Sequence, residues 1–185
     1  MLAAFGLGNP GRRYSGTRHN VGFDVIDRVA DRCGATVSKR RHNARMGEAD
    51  TGTARVLLVK PQTYMNNSGR SVRSVVDWYG LEPDELIVVC DHLDLEPGRI
   101  RIGRKGSSGG QRGLRSVAAV LGTDEYPRLR VGIGRPPVGM DAVDFVLGRF
   151  TAGERKIVAD AVEQAAEAVL CWANEGIDAC MNRFN

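Results

Sequence analysis

The sequence predicts an α/β fold: a single globular domain over residues 1–185, built as a mixed, twisted β-sheet flanked by helices. Short apolar, β-branched runs alternate along the chain with segments of helical period, the pattern of a sheet covered by helices. Two strand candidates, 99–102 and 128–133, interleave basic and apolar residues. Such strands have one exposed face, so the sheet is mixed rather than all parallel. The length, 185 residues, suits one domain, since domains usually run to ~50–250 residues. No linker, repeat or low-complexity tract divides it.

Leu2 to Leu7 is a short apolar run ending in glycine and reads as a buried strand. From Asn20 to Cys33 the apolar residues Val21, Phe23, Val25, Ile26, Val29 and Ala30 recur at helical spacing. Arg55 to Val59 is a second strand. Asn66 to Tyr79 is a helix, with Val72, Val75, Val76 and Tyr79 on one face. Leu86 to Cys90 is β-branched and makes a central strand. Leu114 to Leu121 is a short helix. Thr151 to Glu175 is the clearest helix: Thr151 and Glu154 form a capping box, and Gly176 stops it. One apolar stripe runs through Ile157, Val158, Ala161, Val162, Ala165, Ala168, Val169 and Trp172.

Composition narrows the class. Hydrophobic residues make up 42% and charged residues 26%, as in ordinary globular proteins. A net charge of +4 is a mild bias toward a polyanionic partner. The four cysteines, Cys33, Cys90, Cys171 and Cys180, form no CxxC pair. They read as reduced thiols of a cytoplasmic protein rather than as disulfides or zinc ligands. The apolar start, Met1 to Phe5, is too short for a signal peptide and lacks a basic start. No run approaches the ~20 apolar residues of a membrane span.

Polar residues and glycines gather where the predicted strands end: GLGNPG at 6–11, TRHN at 17–20, PQTYMNNSG at 61–69, DHLDL at 91–95, GRKGSSGGQRG at 103–113 and RLRVGIGRP at 128–136. Strand ends are where open α/β sheets build their sites. GLGNPG matches a dinucleotide-binding fingerprint, but its context fails: the helix starts only near Asn20, and the acids Asp24 and Asp27 lie within that helix. The 103–113 loop carries Arg104, Lys105 and Arg112 without the Gly-Lys-Ser/Thr of a P-loop. Its backbone N–H groups suit a phosphate, and a solvated flexible loop is an equal reading.

His19 sits between a loop and a helix start. A histidine that titrates near neutrality can take a proton from water, given a partner to hold its tautomer. Asp91, just past the strongest strand, suits that part. Asn9 and Asn66 offer amide donors for a carbonyl or its oxyanion. No serine or cysteine nucleophile accompanies the pair, so water would attack, and the chemistry calls on no metal or cofactor.

Together these segments resemble the bacterial peptidyl-tRNA hydrolase family, over nearly the whole chain: from Gly6 through TRHNVGFDVID at 17–27, KPQTYMNNSG at 60–69, Asp91 to Gly113, RLRVGIGRP and VLGRF at 146–150 to the terminal MNRFN. The resemblance implies a monomeric, metal-free esterase with peptidyl-tRNA as its partner. It implies His19 as catalytic base with Asp91 stabilising it. It makes Asn9 the residue that tells a blocked peptidyl amine from a free aminoacyl group. Tyr14, Tyr64 and Asn66 would line the substrate cleft, with Met65 as an apolar wall. Arg130, with Arg104 or Lys105, would clamp the tRNA 5′-phosphate.

One departure stands out. The family usually has Gly-Gly-His-Asn-Gly where this chain reads Gly109-Gly110-Gln111-Arg112-Gly113. Arg112 cannot accept a hydrogen bond and adds bulk and fixed charge, and Gln111 cannot titrate. The change is compatible with a slower enzyme, with Arg112 binding the acceptor-stem backbone or terminal phosphate, or with a paralogue that kept RNA binding and lost hydrolysis.

Overall fold

A computed structural model describes residues 1–185. Seven strands form one sheet in the order β2-β3-β4-β1-β5-β7-β6. They are β1 (Leu2–Gly6), β2 (Lys39–Arg41), β3 (Ala44–Asp50), β4 (Arg55–Pro61), β5 (Leu86–His92), β6 (Ile100–Gly103) and β7 (Arg128–Gly132). The four central strands β4, β1, β5 and β7 run parallel. The outer strands β2, β3 and β6 pair antiparallel, so the sheet is mixed as expected.

The helices are α1 (Val21–Arg32), α2 (Ser68–Tyr79), α3 (Arg112–Leu121), α4 (Ala142–Leu147), α5 (Ala152–Glu175) and α6 (Ile177–Phe184). Two apolar cores sandwich the sheet. Ala4, Leu58, Ile87 and Val89 point into one, against α1 and α5. Their neighbours Ala3, Phe5, Leu57, Val59, Leu86 and Val88 point into the other, against α2 and α3. Both faces are covered, which is why these strands read as unbroken apolar runs. No helix is long and apolar enough to cross a membrane, and all four cysteines are free.

Four expectations need correction. Strand β5 runs on to His92, so Asp91 belongs to the strand and not to the loop after it. Helix α3 starts at Arg112, two residues before Leu114, because the Gln111 side chain caps it by accepting from the Leu114 N–H. Residues 128–133 are not one-sided: β7 lies between β5 and β6, and Arg128 is 1% exposed. Its guanidinium is satisfied by the carbonyls of Gly106, Asp124 and Tyr126 and stacks on the Tyr126 ring. Ile157, placed on the apolar stripe of α5, is exposed.

Candidate active site

The cleft opens beyond the carboxyl ends of the parallel strands, as the topology predicts. Strand β1 leads into the Asn9 turn, β4 into the Tyr64–Asn66 loop, and β5 carries Asp91 as its last residue but one. The cleft holds about 410 Å³ and brings together Asn9, Tyr14, His19, Tyr64, Met65, Asn66, Asp91 and Arg112. Its far wall is apolar, formed by Leu93, Ala142, Val143, Val146 and Leu147.

His19 lies in a single helical turn, Arg18–Asn20, that leads into α1. Every residue of TRHN is engaged. Thr17 Oγ1 donates to the Tyr14 carbonyl at 2.8 Å. Arg18 is buried over the Phe145 ring, donates to the Arg149 carbonyl at 2.8 Å and pairs with Glu154 at 2.8 Å. Asn20 braces the Asn9 turn from both sides: its Oδ1 accepts from the Asn9 N–H and its amide donates to the Asn9 carbonyl, each at 2.9 Å. The turn that carries His19 is thereby tied to α4, α5 and the Asn9 loop.

His19 Nδ1 meets Asp91 Oδ1 at 2.9 Å. Asp91 is 2% exposed, and a buried carboxylate is stable only when hydrogen-bonded. The carboxylate accepts, so Nδ1 donates and the lone pair is left on Nε2. Nε2 has no protein partner and faces the cleft.

Asn9 is oriented in the same way. Its Oδ1 accepts from the Met65 N–H at 2.8 Å, so its NH₂ points away and finds no protein partner. Met65 is buried against Gly113, where an added Cβ would stand 2.5 Å from the Met65 sulfur. Tyr14 and Tyr64 meet edge to face, with ring centroids 6.2 Å apart. Tyr64 and Asn66 are exposed at the mouth.

The expected phosphate clamp lies beside the cleft rather than in it. Arg104 pairs with Asp178, and Lys105 with Glu125 at 3.3 Å. Arg130 Nη2 donates to the Ser107 carbonyl at 2.7 Å. All three surround the β6–α3 loop, whose Gly109 and Gly110 line the cleft. Arg112 is exposed at the cleft edge and has no ion-pair or hydrogen-bond partner. Its neighbour Gln111 is buried and donates through Nε2 to Asp91 Oδ1 at 3.0 Å. His92 also lines the cleft; burial, helped by Arg130, pushes its pKa down.

Three supporting residues had no role in the sequence reading: Arg18, Asn20 and Gln111. Their signal was adjacency to motif residues. Only the fold shows that they also bond to residues 11 to 136 positions away, Asn9, Asp91 and Glu154.

The family model described as peptidyl-tRNA hydrolase matches residues 3–185. The chain is 51% identical to a peptidyl-tRNA hydrolase of Desulforamulus reducens, covering 100% of this chain and 89% of that one. It is 50% identical to that of Moorella thermoacetica, covering 100% and 98%. Among solved structures, the peptidyl-tRNA hydrolase of Acinetobacter baumannii superposes with a TM-score of 0.93 at 33% identity, covering 100% of this chain and 94% of that one. With motifs, fold and cleft in agreement from one end of the sequence to the other, the chain belongs to the peptidyl-tRNA hydrolase family.

Proposed function

We propose that this chain hydrolyses the ester that joins a peptide, or any N-blocked aminoacyl group, to tRNA, with His19 as general base. The observation that carries the mechanism is the buried His19–Asp91 pair, whose free Nε2 faces a cleft that is polar on one side and apolar on the other. The peptide lies between the Asn9 turn and the Tyr64–Asn66 loop, its side chains against Met65 and the α4 wall. Tyr14 and Tyr64 close one side of the groove.

His19 Nε2 takes a proton from water as the water attacks the ester carbonyl. Asp91 holds the tautomer and stabilises the imidazolium. The Asn66 amide or a nearby backbone N–H stabilises the oxyanion, a contribution typically worth about 3–4 kcal/mol of barrier. The proton then passes to the leaving ribose oxygen, and free peptide and tRNA depart. The free NH₂ of Asn9 is placed to read the blocked amine. Arg130, with Arg104 or Lys105, takes the tRNA 5′-phosphate, and Arg112 the acceptor-stem backbone or terminal phosphate.

On this reading residues 1–185 act as one domain and as a monomer, in the cytoplasm where free thiols persist. The chemistry uses no metal or cofactor. The Gln111–Arg112 pair supported the alternative of an RNA-binding protein without hydrolysis. That pair leaves the His19–Asp91 contact intact, and no feature of the structure favours the alternative.

The test is release of tRNA from N-blocked and from unblocked aminoacyl-tRNA. The blocked form is hydrolysed selectively, and His19→Ala abolishes turnover while leaving tRNA affinity nearly intact. An unchanged rate in His19→Ala removes His19 from the mechanism. Binding without release marks an RNA-binding protein.

A further inference from the structure

Asp91 accepts two hydrogen bonds on one buried oxygen. Oδ1 takes His19 Nδ1 at 2.9 Å and Gln111 Nε2 at 3.0 Å. The Gln111 carboxamide has only one acceptable orientation. Its Oε1 accepts from the Leu114 N–H at 2.8 Å, as the cap of α3. Exchanging its oxygen and nitrogen would set oxygen against the Asp91 carboxylate and NH₂ against the Leu114 N–H, turning two attractive contacts into repulsive ones. Met65 Sδ, 3.2 Å from Nε2, packs the same amide from the cleft side.

We infer that Gln111 is a positioning residue for the hydrolysis: held as the cap of α3, its amide fixes the Asp91 carboxylate, and through it the tautomer and ring orientation of His19. The inference rests on the reading of His19 as base. Partners of this kind, one bond removed from the reacting group, orient it and make it less free to rotate. The amide also ties Asp91 to the N-terminus of α3, whose partial positive charge favours a carboxylate. Glutamine does not titrate, so this restraint holds across the working pH range.

The cap and the positioning role separate experimentally. Asparagine caps helices at least as well as most residues, but it is one methylene too short to cap Leu114 and reach Asp91 together. In Gln111→Asn we expect kcat on N-blocked aminoacyl-tRNA to fall about 10- to 100-fold, the usual range for such partners. KM should stay within about twofold and the urea midpoint should not move. Gln111→Glu keeps the acceptor and replaces the donor by a negative charge beside Asp91. That charge favours the imidazolium, so the ascending limb of the pH–rate profile moves to higher pH. In an Asp91→Asn background, Gln111→Asn should cost nothing further, because the two act as one unit.

A Gln111→Asn enzyme with wild-type kcat, beside an inactive His19→Ala, overturns this inference alone. So does a loss of stability without loss of kcat, which marks a cap and nothing more. Normal turnover in His19→Ala overturns both this inference and the reading beneath it.

Discussion

Asp24 occupies the first turn of α1, half-buried beside Asp27 and near Lys60. Burial first, and repulsion from Asp27 second, push its pKa from 3.8 up to about 6, against the pull of Lys60. An acid whose native pKa is raised destabilises the fold when it ionises. The cost is absent below pH ~4, grows as pH rises toward 6, and is constant above. A shift of this size corresponds to about 3 kcal/mol at most. The α1 N-terminus returns ~0.3–1 kcal/mol by favouring the charge, so a gain of no more than about 2–2.7 kcal/mol is expected for Asp24→Asn. Urea unfolding at pH 7.5 should show Asp24→Asn more stable than the parent, with the gap closing near pH 4; a gap that does not depend on pH refutes the assignment. At this scale the sequence was legible where a side chain's chemistry names its own task. His19, Asp91, Asn9, Met65 and Asn66 all converge on the cleft. It marked Gln111 as a departure but gave neither Gln111 nor Asn20 a task, because an amide's role depends on which partners the fold brings, and Asn9 and Asp91 come from other elements.

Among the elements, α1 carries the strictest steric demand. It packs so closely on the β1 and β5 ends that a Cβ at Gly22 would stand 2.5 Å from the Leu7 carbonyl oxygen and 2.6 Å from that of Val89. Both are backbone atoms of the sheet centre and cannot swing aside, so α1 itself must shift. Overpacking of this kind costs typically 1–3 kcal/mol. The turn bearing His19 runs directly into α1, so the shift also moves the imidazole relative to Asn66, and a displacement of about 1 Å can cost ~10²-fold in rate. Gly22→Ala should therefore lower the urea midpoint with m unchanged, and should be slow even where it is fully folded. Wild-type kcat in the folded variant shows that α1 absorbs the methyl without moving the site. The same packing explains which elements could be read in advance. The strands β1, β4 and β5 and the helices α1, α2 and α5 bury continuous apolar sets and show clear periods. The β2–β3 hairpin has no clear sequence signal, because Lys39–Arg41 is exposed and its turn is His42-Asn43, with φ of 53° and 52°, rather than the Asn-Gly that signals such turns. The eight-residue α6 follows directly on Gly176, which read as a stop.

Across the whole molecule, the mild net charge of +4 understates how the cations are placed. Arg104 and Lys105 hold exposed acids in surface pairs, which are worth ~0–1 kcal/mol and yield easily to a phosphate. Arg112 has no competing partner. Arg130 differs from these: its Nε is buried without a partner and its Nη2 is anchored on Ser107, so the guanidinium is held in place before any ligand arrives. A prepositioned cation loses little side-chain entropy on binding. It should therefore contribute more to tRNA affinity than the exposed, ion-paired Arg104 or Lys105. Binding a tRNA phosphate releases condensed counterions, and the slope of log K against log salt falls by ~0.7–0.9 for each contact removed. We expect Arg130→Ala to weaken tRNA binding and flatten that slope by about one contact. Arg112→Asn should do the same if Arg112 lies on the acceptor stem. Arg55, exposed at the opposite end of the sheet where β4 begins, is the control whose removal leaves the slope alone. Affinities measured between about 50 and 200 mM salt, the range over which such contacts show most clearly, decide the matter. Equal slopes for the parent and Arg130→Ala would place the phosphate elsewhere, and a change confined to Arg112→Asn would put the dominant contact at the cleft edge.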